Sequence, residues 1–457
     1  MSRSLRGDGL KAIAVRGSVW TLAGNGANHA VRLVSNLILT RLLFPAAFGL
    51  MALVQTITQG LNMFSNAGLL GSVIHHERGD DPQFLQTVWT VQAIRGIGLW
   101  LVACLVAAAI WALGSMSLFS EGSAFAAPQL PALLLVSGFG MVLSGLKSVS
   151  MLQSSRHIQV GRLVTLELAA KLVGLPVMIV HALIWPSVWA LVSGALASGI
   201  ALMIASHLFL PGPPARFHWD RHAARELFRF GRWVLLGSAV AFLAGKGDRF
   251  VLGQFISAEQ FGVYAIAVLL AGVVGEVVSQ WTRRVLFPVY ARLNDRGEQH
   301  LRQQVIRLRA VTMAILSVPI LTLAIGGQWF VELLYDQRYT QAGWILQILA
   351  LGIIGSVVDT TSAQVLLAKG DSFKHMSVRM TRLVFTIAGM AVGAWLGGFF
   401  GLVCGLAASR WASYPVLALM LRRHGLWLPW LDAVAMLGCA ALALLGIALT
   451  GQWPVPG

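Results

Sequence analysis

The feature that most constrains this chain is a train of apolar stretches of nearly uniform length. Thirteen windows of roughly 20 mainly apolar residues fill the sequence almost end to end: 15–40, 48–74, 87–113, 130–152, 163–184, 188–210, 230–255, 261–288, 308–330, 342–367, 378–395, 400–421 and 431–450. About 20 such residues carry a helix across the ~30 Å of hydrocarbon in a bilayer. In that solvent every backbone polar group must be satisfied within the segment, which selects helix over irregular chain. The expected fold class is all-α, a polytopic membrane helix bundle of 12–14 transmembrane helices. Only 11% of residues are charged and 57% are hydrophobic. A soluble domain is nearer 25% charged and a disordered chain is poorer in apolar residues, so both classes are excluded.

Charge must be located before it is interpreted. The balance of 34 Lys+Arg against 18 Asp+Glu, +16 overall, would point to nucleic acid in a soluble protein. With the N-terminus inside, 26 of the 34 basic residues fall in the tail and inner loops, and only Arg41 and Arg338 in outer loops. That asymmetry is what orients membrane proteins. It removes nucleic acid as a partner and predicts a multi-pass protein of the bacterial inner (cytoplasmic) membrane, N-terminus cytoplasmic. The basic opening, MSRSLRGDGLKAIAVRGSVW, lacks a small-residue cleavage site and reads as part of an uncleaved first helix. Cys104, Cys404 and Cys439 lie inside apolar windows without pairing spacing, so neither a disulfide nor a metal site is expected. No GxxxxGK[ST] loop occurs, and no cofactor is expected.

The chain also resembles itself. TRLLFPAAFGLMAL, joining windows 1 and 2, aligns without gaps to GQFISAEQFGVYAI, joining windows 7 and 8, at an offset of 213 residues. Phe48 falls on Phe261, Gly49 on Gly262 and Ala52 on Ala265. Six windows separate the copies, an even number, so the halves share an orientation and form a parallel repeat. The expected organisation is a six-helix lobe over 1–212, a second over 213–425 and an additional helix over 426–457. Convergent helix-loop-helix chemistry is the other explanation of these identities.

Polar residues interrupt the windows in a pattern. An ionisable group at the centre of a span costs ~2.5–3.5 kcal/mol on insertion scales and faces a bundle interior or a water-filled path. Asn25, His29, Arg32 and Asn36 follow a 4-3-4 spacing in window 1, and Gln55, Gln59, Asn62 and Asn66 repeat it in window 2. Each set lies on one helix face. The stripes read as walls of an aqueous lumen, or alternatively as interhelical hydrogen bonding. Further along stand Gln92, Arg95, Glu167, Lys171, Lys246, Asp248, Arg249, Glu276, Gln280, Asp359 and Arg410. Basic groups outnumber acidic ones inside the windows, and a cationic path suits an anionic cargo, because Arg offers bidentate contacts to phosphate or carboxylate. The candidate lumen residues are Arg32, Arg249, Lys246, Arg95, Asn36, Asn62, Asn66, Gln59 and Arg410, with Arg32 and Arg249 foremost. Asp359, Glu276, His29 and Asp248 are the candidates for ion coupling. Structural readings stand beside these: Glu167 and Lys171 neutralise each other at i,i+4, Asp248 compensates Lys246 and Arg249, Arg410 snorkels or pairs with Asp359, and His29 is a satisfied interior histidine.

The segments LILTRLLFPAAFGLMALVQTI, NAGLLGSVI, DRFVLGQFISAEQFGVYAIA, VLFPVYARL, LLYDQRYTQAGWILQILAL and VLLAKGD together resemble the polysaccharide transporter family of the multidrug/oligosaccharidyl-lipid/polysaccharide exporter superfamily, which contains O-antigen and exopolysaccharide flippases. The resemblance covers both halves. It implies a two-lobed bundle that alternates between outward-open and inward-open states and moves a lipid-linked oligosaccharide, such as a polyprenyl diphosphate-linked one, between leaflets. Its implied partners are that lipid-linked oligosaccharide, membrane lipids, and a glycan polymerase or other polysaccharide-assembly proteins. Family members usually show twelve or fourteen spans, against thirteen windows here. Two other readings are a lipid II flippase or drug/cation antiporter of the same superfamily, and a membrane glycan polymerase or ligase. The last would be expected to place catalytic residues in a sizeable outer loop, and no nucleophile-base or metal-ligand constellation is visible.

Overall fold

The computed structural model describes residues 7–65, 71, 73–74, 76–157, 159–294, 298–368, 371–423, 427–451 and 453; the side chains of 7–19, 21, 22, 25 and most of 228–241 lie outside that description. Asn66 and much of NAGLLGSVI lie outside the described residues, as does the side chain of Asn25. Among the described residues every regular element is helical.

Helix α1 (Gly7–Leu42) and α2 (Pro45–Ser65) take the first two windows, α3 (Pro82–Ser115) the third. The fourth window is broken into α4 (Leu130–Gly145) and α5 (Ser150–Arg156), bent by 61°. Helices α6 (Val160–Ile184), α7 (Val188–Leu208) and α8 (Arg221–Phe255) follow. The eighth window is α9 (Ala258–Trp281) continued through one π turn into α10 (Phe287–Asn294). Helices α11 (Glu298–Leu334), α12 (Ala342–Ala368), α13 (Ser372–Ala412), α14 (Tyr414–Arg422) and α15 (Pro429–Thr450) complete the chain. Each of the thirteen windows, as far as it is described, therefore falls on helix. Among the described residues eight helical stretches are long and apolar enough to cross a membrane, or nine when α4 and α5 count as one bent span.

Local chemistry explains the boundaries. Pro82 opens α3, and the Asp81 carboxylate accepts the Gln83 N–H at 3.1 Å, as N-cap residues do. Ser257 and Gln260 form a capping box at the head of α9. Helix α13 is two helices run together across a kink at Gly397 and Gly398, where φ of Gly398 is +54° and ψ −135°, a region that side chains avoid. The kink divides the eleventh window from the twelfth. The returning segment packs backbone to backbone on the outgoing one: a Cβ on Gly389 would lie 2.6 Å from the Gly405 carbonyl oxygen, and Gly393 meets Gly401 as closely. Small residues of this kind let membrane helices approach.

The chain divides into two units, 1–242 and 243–457, with the division inside α8. In the first, α3 packs on α4, α6 on α7 and α1, and α2 on α4. In the second, α12 is the axis, with 83% of its apolar window buried, and α9, α11, α13 and α15 pack around it. Ala324, Ala350 and Ala443 cluster where α11, α12 and α15 meet. The repeated elbow matches residue for residue: α1 ends at Leu42 and α8 at Phe255, α2 begins at Pro45 and α9 at Ala258, all at the offset read from sequence. Even the hydrogen bond from Leu43 N–H to the Leu39 carbonyl has its counterpart from Ile256 to Leu252.

Candidate functional site

In the first unit a cavity of about 360 Å³ lies at the break in the fourth span. Its polar lining comes from Asn62 on α2, Gln92 and Arg95 on α3, Ser144 at the end of α4, and Lys147 and Ser148 at the corner before α5. Two glycines make the corner possible. A Cβ on Gly96 would lie 2.7 Å from the Met141 carbonyl oxygen, and one on Gly145 2.8 Å from that of Gln92, so α3 and α4 touch through their backbones. At that contact the Gln92 amide donates to the carbonyls of Ser144, Gly145 and Lys147 at 3.3, 3.0 and 3.1 Å. These groups are orphaned by the end of α4. Glu167 lies within electrostatic range of Lys147.

The second unit carries a line of charge. The Tyr264 hydroxyl donates to Asp248 at 3.1 Å, and Arg249 and Arg410 lie within electrostatic range of Tyr264. Arg410 runs along α12, its Cδ 3.3 Å from where a Gly352 Cβ would stand, and faces Arg382 as well as Asp248. Arg382 in turn reaches Asp359 at 3.4 Å and the Ser356 hydroxyl at 2.7 Å. Asp359 is 4% exposed, and its Oδ1 has no hydrogen-bond partner among the described residues.

The sequence candidates are distributed as follows. Arg95 and Asn62 meet at the first cavity; Asp248, Arg249 and Arg410 meet around Tyr264, and Lys246 is half-buried beside them on α8. His29, Arg32 and Gln59 are exposed on α1 and α2, and Asn36 is half-buried. Glu276 accepts from Gln280 on its own helix at 3.0 Å. Asn62 donates to the Thr58 carbonyl one turn back at 3.1 Å, and Gln55 is exposed, so these stripe residues do not serve as interhelical bonds. Two pairings expected from sequence are corrected. Asp359 pairs with Arg382 rather than Arg410, because the glycines of α12 draw Arg410 toward Asp248. Lys171 donates to Asn28 of α1 rather than closing on Glu167, because α6 packs on α1.

Sequence reasoning missed several residues. Lys147 and Arg382 were assigned to inner loops, and Tyr264 was hidden in an apolar run. Most consequential is a buried network at the α11–α12–α15 contact. Arg309, 1% exposed, donates to Asp432, 0% exposed, at 2.5 Å and to Ser362 at 2.5 Å. Tyr414 donates to the other Asp432 oxygen at 2.8 Å, and the Trp427 indole donates to Tyr414 at 3.1 Å. The one available signal was Asp432 itself, a carboxylate in the first turn of an otherwise apolar helix.

The model of a family described as polysaccharide biosynthesis protein matches residues 38–344. The chain belongs to that family. This polysaccharide biosynthesis protein is 23% identical to the lipopolysaccharide biosynthesis protein WzxC of Escherichia coli K12, over 97% of this chain and 89% of that one. It is 24% identical to the succinoglycan biosynthesis transport protein ExoT of Rhizobium meliloti, over 73% and 64%. Its fold is shared with the lipid II flippase MurJ in an inward closed conformation, at TM-score 0.67 and 11% identity, covering 95% of this chain and 93% of that one. A multidrug resistance transporter of the MATE family, inward-facing, matches at TM-score 0.60 and 12% identity, covering 93% and 96%. This family member is a polytopic membrane protein whose fold is shared with solved transporters.

Proposed function

We propose that the protein exports a lipid-linked oligosaccharide, carried on a polyprenyl diphosphate, from the cytoplasmic to the outer leaflet of the bacterial inner membrane for exopolysaccharide or lipopolysaccharide assembly. The observation that carries this reading is that charged and amide side chains line both units of an otherwise apolar bundle whose relatives bear the names of polysaccharide biosynthesis and transport proteins. A polar headgroup must cross ~30 Å of hydrocarbon while its tail stays in lipid. Arg32, Arg95, Lys246, Arg249 and Arg410, with Asn36, Gln59, Asn62 and Asn66, replace water around the sugar and phosphate; the lobes alternate access. The N-terminus is cytoplasmic by the distribution of basic residues. An ion gradient drives the cycle, and burial together with an unsatisfied oxygen supports Asp359 ahead of Asp248, Glu276 and His29 as the coupling group. A glycan polymerase receives the cargo on the far side.

Deleting the gene should leave the lipid-linked intermediate in the cytoplasmic leaflet and remove surface glycan. The double variant Arg32→Ala, Arg249→Ala should reproduce that loss at normal protein abundance. Normal glycan export from the deletion strain overturns the reading, normal export from the double variant removes the cationic lumen, and altered drug tolerance with intact glycan favours a drug antiporter instead.

A further inference from the structure

Resting on that reading, we infer that the cavity at the broken fourth span is a subsite for the diphosphate of a prenyl-linked lipid. The apolar run 130–152 is long enough to continue as helix, yet it turns by 61° between Gly145 and Ser150. Irregular backbone at membrane depth persists only where protein buries it or where it lines a water-filled cavity, and broken helices recur at transporter binding sites. This break does line a cavity.

The chemistry at the break selects the ligand. A helix C-terminus is negative and repels anions, but here the Gln92 amide covers the last two carbonyls of α4 and that of Lys147 just beyond. With that end masked, the charges lining the cavity are Arg95 and Lys147, with the hydroxyls of Ser144 and Ser148 beside them and no carboxylate among the lining residues. Guanidinium and ammonium groups lining one cavity suit the oxygens of a phosphate. The opposite character is also present: Leu99, Met141, Met151 and Leu152 also line it, and none of the described lining residues is aromatic. Paired cations beside an aliphatic wall fit a phosphate that arrives on a lipid. A cavity of about 360 Å³ lies at the lower end of the range for small-ligand sites, the scale of a diphosphate with the start of a prenyl chain.

A phosphate on a lipid has two sources, the prenyl diphosphate and the ordinary anionic phospholipid, and the diphosphate is favoured because two cations line one cavity. The test measures binding of farnesyl diphosphate, phosphatidylglycerol and inorganic pyrophosphate to the full-length protein in neutral-lipid nanodiscs. Arg95→Gln with Lys147→Gln should weaken farnesyl diphosphate binding by at least about tenfold, since each charge-assisted bond removed is worth that much. The charge-keeping pair Arg95→Lys with Lys147→Arg should bind within about threefold of the parent, separating lost charge from lost fold. Tighter binding of phosphatidylglycerol than of farnesyl diphosphate, or unchanged binding in the glutamine pair, overturns the proposal. Export that needs the protein while binding ignores the pair sinks the subsite and leaves the transport reading standing. Pair-dependent binding in a protein whose deletion leaves glycan export intact does the reverse.

Discussion

Arg309 and Asp432 form the most deeply buried ion pair among the described residues. A pair of this kind gains little over an apolar replacement, but removing one partner strands the other charge. Asp432→Ala should therefore cost about 3–5 kcal/mol, read as an earlier thermal unfolding transition of the detergent-purified protein. Arg309→Met combined with Asp432→Leu should recover most of that loss; a double variant as unstable as the single one would show that the pair does more than fill space. A second group of charges lies outside the spans. The Asp81 carboxyl sits below the usual carboxylate range because Arg78 and the Gln83 N–H bond to it. The His222 N–H does the same for Asp220, against a smaller effect of burial and with help from Ala223 and Arg78. For Asp80, burial pushes the carboxyl up, and Gln153, His157 and Arg156 together outweigh it. Lowered carboxylates stabilise the fold above their unfolded value near pH 4 and lose that contribution as pH falls through the lowered ones. Hydrogen exchange at residues 76–81 should accelerate only below about pH 4, and Asp220→Asn should weaken the Arg78 link already at neutral pH. Exchange unaffected by acid would refute this assignment.

At the scale of elements, the hydropathy windows were readable because bilayer thickness and backbone hydrogen bonding leave a long apolar segment little but helix to form. The split between the eleventh and twelfth windows was readable too, since the Gly397–Gly398 pair interrupts both sequence and helix. Ala at Gly398 should cost about 1–3 kcal/mol for its backbone conformation, measured as lowered thermal stability. The break at Gly145 was not readable, because Gly145, Lys147 and Ser148 sit near the end of 130–152, where a span is expected to meet a polar loop. It is imposed from outside, by Gln92 reaching across the Gly96 contact. Partner choice was lost for the same reason. Arg382 lies near the start of the eleventh window and Arg410 at the middle of the twelfth, so sequence position favoured Arg410 as the partner of Asp359. Which face α13 turns toward α12 depends on glycines two turns away. Val at Gly96 should force α3 from α4 and destabilise by about 1–3 kcal/mol through overpacking. The candidate lumen residues were found because charge in an apolar run is conspicuous, whereas Tyr264, Tyr414 and Ser362 carry polar atoms that hydropathy barely registers.

For the whole molecule, the proposed topology of thirteen spans with a cytoplasmic N-terminus would put the two termini on opposite sides of the membrane. Replacing Cys104, Cys404 and Cys439 and introducing single cysteines tests this directly. Ser120→Cys, in the longest outer loop, should react with an impermeant maleimide on intact spheroplasts, and Ala215→Cys should react only after permeabilisation. The opposite pattern would invert the orientation and move every inner loop outside. The elbow recurs at one offset in both helix ends and in a backbone hydrogen bond. The last helix, α15, sets the order in which the protein can be completed. Arg309 leaves the ribosome 123 residues ahead of Asp432, roughly 6–25 s earlier at ~5–20 residues per second. For that interval a guanidinium waits at the membrane without its carboxylate, so a chain cut short before α15 reaches the quality-control proteases with that charge still unanswered.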